Sequence, residues 1–288
     1  MLTPEELRQI RRLHLQAGRA VSSPFAGEYR SAFKGRGMEF EEVRPYVPGD
    51  DVRHIDWNVT ARTGEPFVKE FREERELQLL LVTDVSGSVH FGSGGLDGET
   101  DKRRQLARVA GALAFAATRN NDKVGLITFS DRIERAVPPR KSRGHAWTVI
   151  RALFEDHPQG QGTNLAQALE RAGQMLSRRA VICVLSDFLA PAGFERELRV
   201  LSWKHRVHCF LVHDPREARL PPVGLLRIRD AETGRERTVD ARHLRIASPV
   251  PERLALLRRA GARVCEVPVD QDAFHLLIGH FRRQGGAG

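Results

Sequence analysis

Leu77-Gln78-Leu79-Leu80-Leu81-Val82-Thr83-Asp84-Val85-Ser86-Gly87-Ser88 is the stretch that decides the fold. From Leu77 to Thr83 the run is short and almost entirely apolar, the pattern of a strand buried on both faces. The next five residues have the opposite chemistry: a carboxylate and two hydroxyls, at Asp84, Ser86 and Ser88. Open parallel sheets present their ligand sites at the carboxyl ends of such strands, near a switch in strand order. Asp84 stands at that end.

Outward from this strand the sequence alternates. A Gly-rich loop at 91–98 leads to a helix over about 100–119, with Ala107, Ala110, Leu113, Ala114 and Ala117 at helical spacing. Strands are expected at Lys123–Phe129 and Ile133–Val137, helices near 143–155 and 164–178, then a strand at Ala180–Ser186. A helix at 193–204, a strand at Val207–His213, a helix at 250–261, a strand at Arg263–Pro268 and a helix at 271–283 complete the series. Strand and helix repeated in this way imply an α/β fold: an open, mostly parallel six-stranded sheet with helices on both faces. Residues 214–247 interrupt the rhythm, because Leu225–Arg229 and Arg237–Asp240 flank Glu232-Thr233-Gly234-Arg235, a turn sequence suited to an inserted β-hairpin.

Upstream, residues 4–18 carry an amphipathic pattern through Leu7, Ile10, Leu13 and Leu15. Residues 19–75 are rich in Gly, Arg and Glu, which predicts short strands and ordered loops. That much irregular chain is expected to pack on something, so the domain expectation is an N-terminal segment 1–75 that wraps a main domain at 76–284.

The 288 residues, 41% of them hydrophobic, suffice for a substantial core. No run of about 18 apolar residues predicts a membrane span, and no signal peptide is read at the front, so a cytoplasmic chain is expected. Cys183, Cys209 and Cys265 lie in apolar β-like runs and read as buried small hydrophobes. The net charge of +9 raises the question of nucleic acid. Of the 46 basic residues, however, only Lys34, Lys69, Lys102, Lys123, Lys141 and Lys204 are lysines, and the arginines run through every segment among acids. That spread speaks for compositional bias over one basic patch, and specific nucleic-acid binding is kept only as an alternative.

The chemistry concentrates around Asp84, Ser86 and Ser88. Oxygen donors of this kind suit a hard cation, and Mg2+ accepts few protein ligands while keeping several waters. Thr163, in Gly160-Gln161-Gly162-Thr163-Asn164 directly before a helix, and Asp187, at the end of the strand Ala180–Ser186, are expected to project into the same crevice. Asp84, Ser86, Ser88, Thr163 and Asp187 together resemble the metal-ion-dependent adhesion site of von Willebrand factor type A domains. The resemblance implies Mg2+ or Mn2+, held directly by Ser86 and Ser88, with Thr163 joining directly or through water and the two aspartates acting largely through water. It also implies a vacant position that a partner protein fills with an acidic side chain.

A second resemblance covers the front. Gly35-Arg36-Gly37-Met38-Glu39-Phe40, Arg44-Pro45-Tyr46-Val47-Pro48-Gly49-Asp50-Asp51-Val52-Arg53, Ile55-Asp56-Trp57 and Ala61-Arg62-Thr63-Gly64 are similar to the signature of a bacterial family catalogued as domain of unknown function fifty-eight. Its members are often encoded beside MoxR-type AAA+ ATPases, which implies such an ATPase as partner and an adaptor role in remodelling or maturing client proteins. Arg44, Arg53 and Arg62 alternate with Glu42, Asp50, Asp51 and Asp56, which predicts an ordered polar network that docks this segment. Enzyme motifs are missing: there is no P-loop, no Gly-x-Ser-x-Gly elbow, and no second Asp two residues after Asp84. No catalytic residue is assigned, and a divalent-metal-dependent hydrolase stays as the alternative.

Overall fold

In the computed structural model the described residues are 29, 38–73, 77–90, 101–155, 158, 160, 162–190, 193–217, 224–229, 235–240 and 248–285. The expected helix at 4–18, the loop at 91–98 and most of the turn at 232–235 lie outside them. The chain divides into two compact units, one of Lys34–Glu76 and one of Leu77–Gly288 with Met1–Phe33.

In the smaller unit, β1 (Met38–Pro45) and β2 (Phe67–Glu73) pair antiparallel, with a bulge between Phe40 and Glu42. Between them the chain makes a 3-10 turn at Val52–His54 and the helix α1 (Trp57–Thr63). The helix was not expected from Trp57, Val59 and Thr60, whose side chains favour strands. It forms because both ends are closed: the Asp56 carboxylate accepts from Asn58 N and Val59 N, and Gly64 takes the left-handed conformation at φ 79°. The predicted charge network pairs within this unit. Arg44 grips Asp50 through two bonds of 2.7 and 2.8 Å and reaches Glu70 at 3.1 Å. Asp51 holds Arg53, and Asp56 lies 3.5 Å from Lys69. Arg44, aided by the Val47 N–H, holds the Asp50 carboxyl down to about 2.

The larger unit contains the six-stranded sheet. Its strands are β3 (Gln78–Asp84), β4 (Lys123–Phe129), β5 (Ile133–Arg140), β6 (Val181–Ser186), β7 (Arg206–His213) and β10 (Arg263–Pro268), in spatial order β10-β7-β6-β3-β4-β5. All neighbours are parallel except β4 and β5. β5 lies at the edge and carries Pro138 and Pro139 within its span. The separate hairpin β8 (Leu225–Arg229) and β9 (Glu236–Asp240) falls where the sequence placed it.

The apolar run in β3 works as expected. Leu79 and Leu81 join one core, with α2 (Lys102–Arg119), α3 (Arg143–Glu155) and α7 (Ala273–Gly285). Leu80 and Val82 join the other, with α4 (Leu165–Met175), α5 (Glu195–Lys204) and α6 (Val250–Arg259). Successive residues of a strand face opposite sides, so one unbroken run supplies both layers. Tyr29 is fully buried in the first core and packs edge-on against Phe281. Cys183, Cys209 and Cys265 are buried free thiols, as read.

Strand order reverses at β3. The chain proceeds from it to β4 and β5 on one side and then crosses to β6, β7 and β10 on the other. The carboxyl ends of β3 and β6 therefore flank the switch point where a crevice opens.

Candidate metal centre at the switch point

Asp84 is the last residue of β3, and two serines, one in the following loop and one on the neighbouring strand, settle its side chain. Ser86 N–H donates to Asp84 Oδ1 at 2.9 Å, and Ser186 Oγ, at the end of β6, donates to Oδ2 at 2.6 Å. After β3 the chain enters a 3-10 turn, Gly87–His90, and the Ser86 and Ser88 hydroxyls meet at 3.2 Å. Asp187 directly follows β6. Its Oδ1 accepts from Leu189 N at 3.0 Å, and its Oδ2 receives Lys102 Nζ at 2.7 Å. Phe188 holds the left-handed conformation at φ 54°, and its N–H donates to Ser186 Oγ at 2.9 Å. A phenylalanine kept in that region by its surroundings marks a segment whose geometry is imposed.

Thr163 arrives from another loop. Gly160 packs so closely on Ser130 and Asp131 that a Cβ there would stand 1.7 Å from Asp131 Oδ1. Gly162 adopts φ 99°, and Asn164 N–H donates to Ser130 O at 2.7 Å. Ser130 comes directly after β4, the neighbour of β3, and the Val85 N–H in turn donates to Phe129 O at 2.9 Å. The Thr163 loop is thus fastened to the edge on which Asp84 stands. Asp84, Ser86 and Asp187 are sealed at 1% exposure or less, whereas Ser88 at 8% and Thr163 at 6% retain a trace of solvent.

The electrostatics are those of crowded carboxylates. Burial, reinforced by the charge of Asp187, pushes the Asp84 carboxyl up to about 7 against the hydrogen bonds from Ser186 and Ser86. Lys102 supplies positive charge to Asp187 and also meets Glu217 Oε1 at 2.5 Å. Burial works against its ammonium, yet the two carboxylates outweigh that effect and hold its pKa above the ordinary lysine value. Arg253 adds a bond of 2.9 Å to the Asp187 carbonyl.

This donor set is hard and oxygen-only, and it fits Mg2+ or Mn2+. Among the described residues no three His, Cys, Asp or Glu side chains cluster for a metal, so hydroxyls are needed to complete any such site. The Ser86 hydroxyl bonds to Ser88 and to the Asp84 carboxyl. Ser186, Lys102, Glu217 and Arg253 were not foreseen. Ser186 ends a strand whose pairing with β3 alone reveals its role, and Lys102 carried one faint signal, a lysine heading an apolar helix in an arginine-rich chain. His205 Nδ1 accepts from Ala180 N, and His208 bonds to His280 at 2.9 Å.

The strand order, with one antiparallel edge and a crevice beside the central strand, defines an open, mostly parallel α/β sheet domain with a ligand-type switch point. The chain belongs to the family described as "Protein of unknown function DUF58", which matches residues 42–249. The uncharacterized protein Rv1480 of Mycobacterium tuberculosis is 34% identical over 241 residues, 82% of this chain and 75% of that protein. Similar solved structures include the conserved hypothetical protein BatB from Bacteroides thetaiotaomicron, at TM-score 0.51 and 16% identity over 73% of this chain and all of that one. They also include a von Willebrand factor type A structure from Catenulispora acidiphila, at TM-score 0.42 and 12% identity over 76% of this chain and 43% of that one. At these identities the likeness to BatB speaks for the fold alone. Among the described residues no helix is long and apolar enough to cross a membrane.

Proposed function

We propose that this chain is a divalent-metal-dependent protein-recognition module. Asp84, Ser86, Ser88, Thr163 and Asp187 would hold Mg2+ or Mn2+, and the ion would supply an electrophilic centre for an Asp or Glu side chain of a partner protein. The observation that carries this reading is the pair of hydroxyls, Ser86 Oγ and Ser88 Oγ, 3.2 Å apart beside two buried carboxylates at the switch point of the sheet. Hydroxyls at the centre and carboxylates behind them leave a bound ion short of negative charge, which favours an incoming carboxylate. The family resemblance adds the identity of the assembly: an adaptor for a MoxR-type AAA+ ATPase that remodels or matures client proteins.

The reading is tested by capturing the ATPase partner with wild-type chain and with Asp84→Ala, in Mg2+ and in chelator. Recovery is expected in Mg2+ with wild type alone. Equal recovery under all four conditions rejects metal-dependent recognition. Turnover of a phosphoester panel with Mg2+ or Mn2+, abolished by the same substitution, would transfer the site to the hydrolase alternative.

A further inference from the structure

Lys102 is 1% exposed at the first residue of α2, a position where a lysine ordinarily reaches solvent. Burying an ammonium is costly unless its partners are in place. Here they come from two other parts of the fold: Asp187 after β6, at 2.7 Å, and Glu217 in the turn Pro215–Glu217 after β7, at 2.5 Å. Asp187 is therefore bound on both oxygens, by Leu189 N on Oδ1 and by Lys102 on Oδ2. A carboxylate has about four acceptor positions, so Asp187 can still serve an ion, but only in competition with a fixed positive charge.

We propose that Lys102 is the internal counter-cation of the metal centre, a positioning residue that lowers its affinity for divalent ions and leaves the loaded centre positive. This rests on the metal-site reading above and goes beyond it by assigning the control of affinity to a residue that is no ligand. Asp84, Asp187 and Glu217 bring three negative charges, with Lys102 and Arg253 as the cations beside them. A bound divalent ion would leave that cluster one unit positive. Without Lys102 the loaded cluster would be neutral, with a weaker pull on an acidic partner. Glu217, with a fifth of its side chain exposed, tempers the ammonium from the far side.

The test is calorimetric titration of Mg2+ into the full chain, with thermal unfolding measured in metal-free and Mg2+-saturated buffer. In Lys102→Met the Mg2+ dissociation constant is expected to fall by at least about tenfold, because a unit charge a few ångströms from a divalent ion is removed from a poorly screened site. Metal-free Lys102→Met should melt lower than wild type and gain more from Mg2+. Glu217→Gln should move the other way, weakening Mg2+ by about threefold or more, because the ammonium then loses one carboxylate and draws harder on Asp187. An unchanged or weakened dissociation constant in Lys102→Met overturns the proposal. If Lys102→Met does not fold, Glu217→Gln decides: unchanged or tighter binding overturns the proposal. Saturable Mg2+ binding by wild type that Asp84→Ala abolishes keeps the metal-site reading intact in that case. Absence of binding by wild type removes that reading and this proposal together.

Discussion

At the scale of single residues, the centre depends on side chains that bind no ion themselves. Ser186 joins two requirements: it donates to Asp84 Oδ2 and accepts the N–H of Phe188, whose backbone is left-handed. Ser186→Ala removes both bonds and leaves a buried N–H and a buried carboxyl oxygen each short of a partner. The expected cost is about 1–3 kcal/mol, read from urea unfolding of the metal-free chain. An unfolding free energy within a few tenths of wild type would show that the loop after β6 holds its shape without this hydroxyl. That Asp84, Ser86 and Ser88 meet at the end of a buried strand was legible in the sequence, because a carboxylate and two hydroxyls at alternate positions follow an apolar run. Ser186, Lys102 and Glu217 were not, because each acquires meaning only through neighbours 102, 85 and 115 residues away in the chain.

Elements show the same division. β3, β4 and β10 could be read closely from their sequences, and α3 lies where a helix near 143–155 was expected. Helix α1 could not, since its cause is a carboxylate cap and a left-handed glycine, acting against residues with strand preference. Packing between β7 and α7 also escaped the sequence. His208 and His280 bond there at 2.9 Å, both buried, with Phe281 against the rings. Burial, then the charges of Arg283 and Arg263, brings His280 down from 6.5 to about 4; burial, then His280 and nearby arginines, lowers His208 well below its ordinary value. The unfolded chain takes up protons below about 6.5, while folded His280 resists until about 4. Stability contributed by the neutral pair is therefore complete above 6.5 and is lost as pH falls from there towards 4. His280 alone should remove about 2 kcal/mol between pH 7 and pH 5. Urea unfolding across that range checks this, with His280→Gln expected to show a shallower slope; parallel slopes would place the pH dependence elsewhere.

For the molecule as a whole, ion binding and folding should be linked. Any ligand that binds the native state alone stabilises it, by about 2.7 kcal/mol at one hundred times its dissociation constant. Saturating Mg2+ is thus expected to raise the melting temperature of wild type and leave Asp84→Ala where it was. The same rise in both proteins would indicate weak, scattered binding to surface carboxylates. The plan of a mostly parallel sheet between two helical layers was legible because strands and helices alternate through the larger unit. The division at Lys34 was harder to see, since Tyr29 belongs to the core of the larger unit although it sits in the Gly- and Arg-rich front.

The sheet's antiparallel edge has one more consequence. A bare outer strand invites a second chain to extend the ladder, and such growth is a common route to aggregation. β5 withholds the means, because Pro138 and Pro139 have no amide hydrogen to give. An added strand would therefore find no amide hydrogens along the Pro138–Pro139 end of that flank, which weakens pairing there.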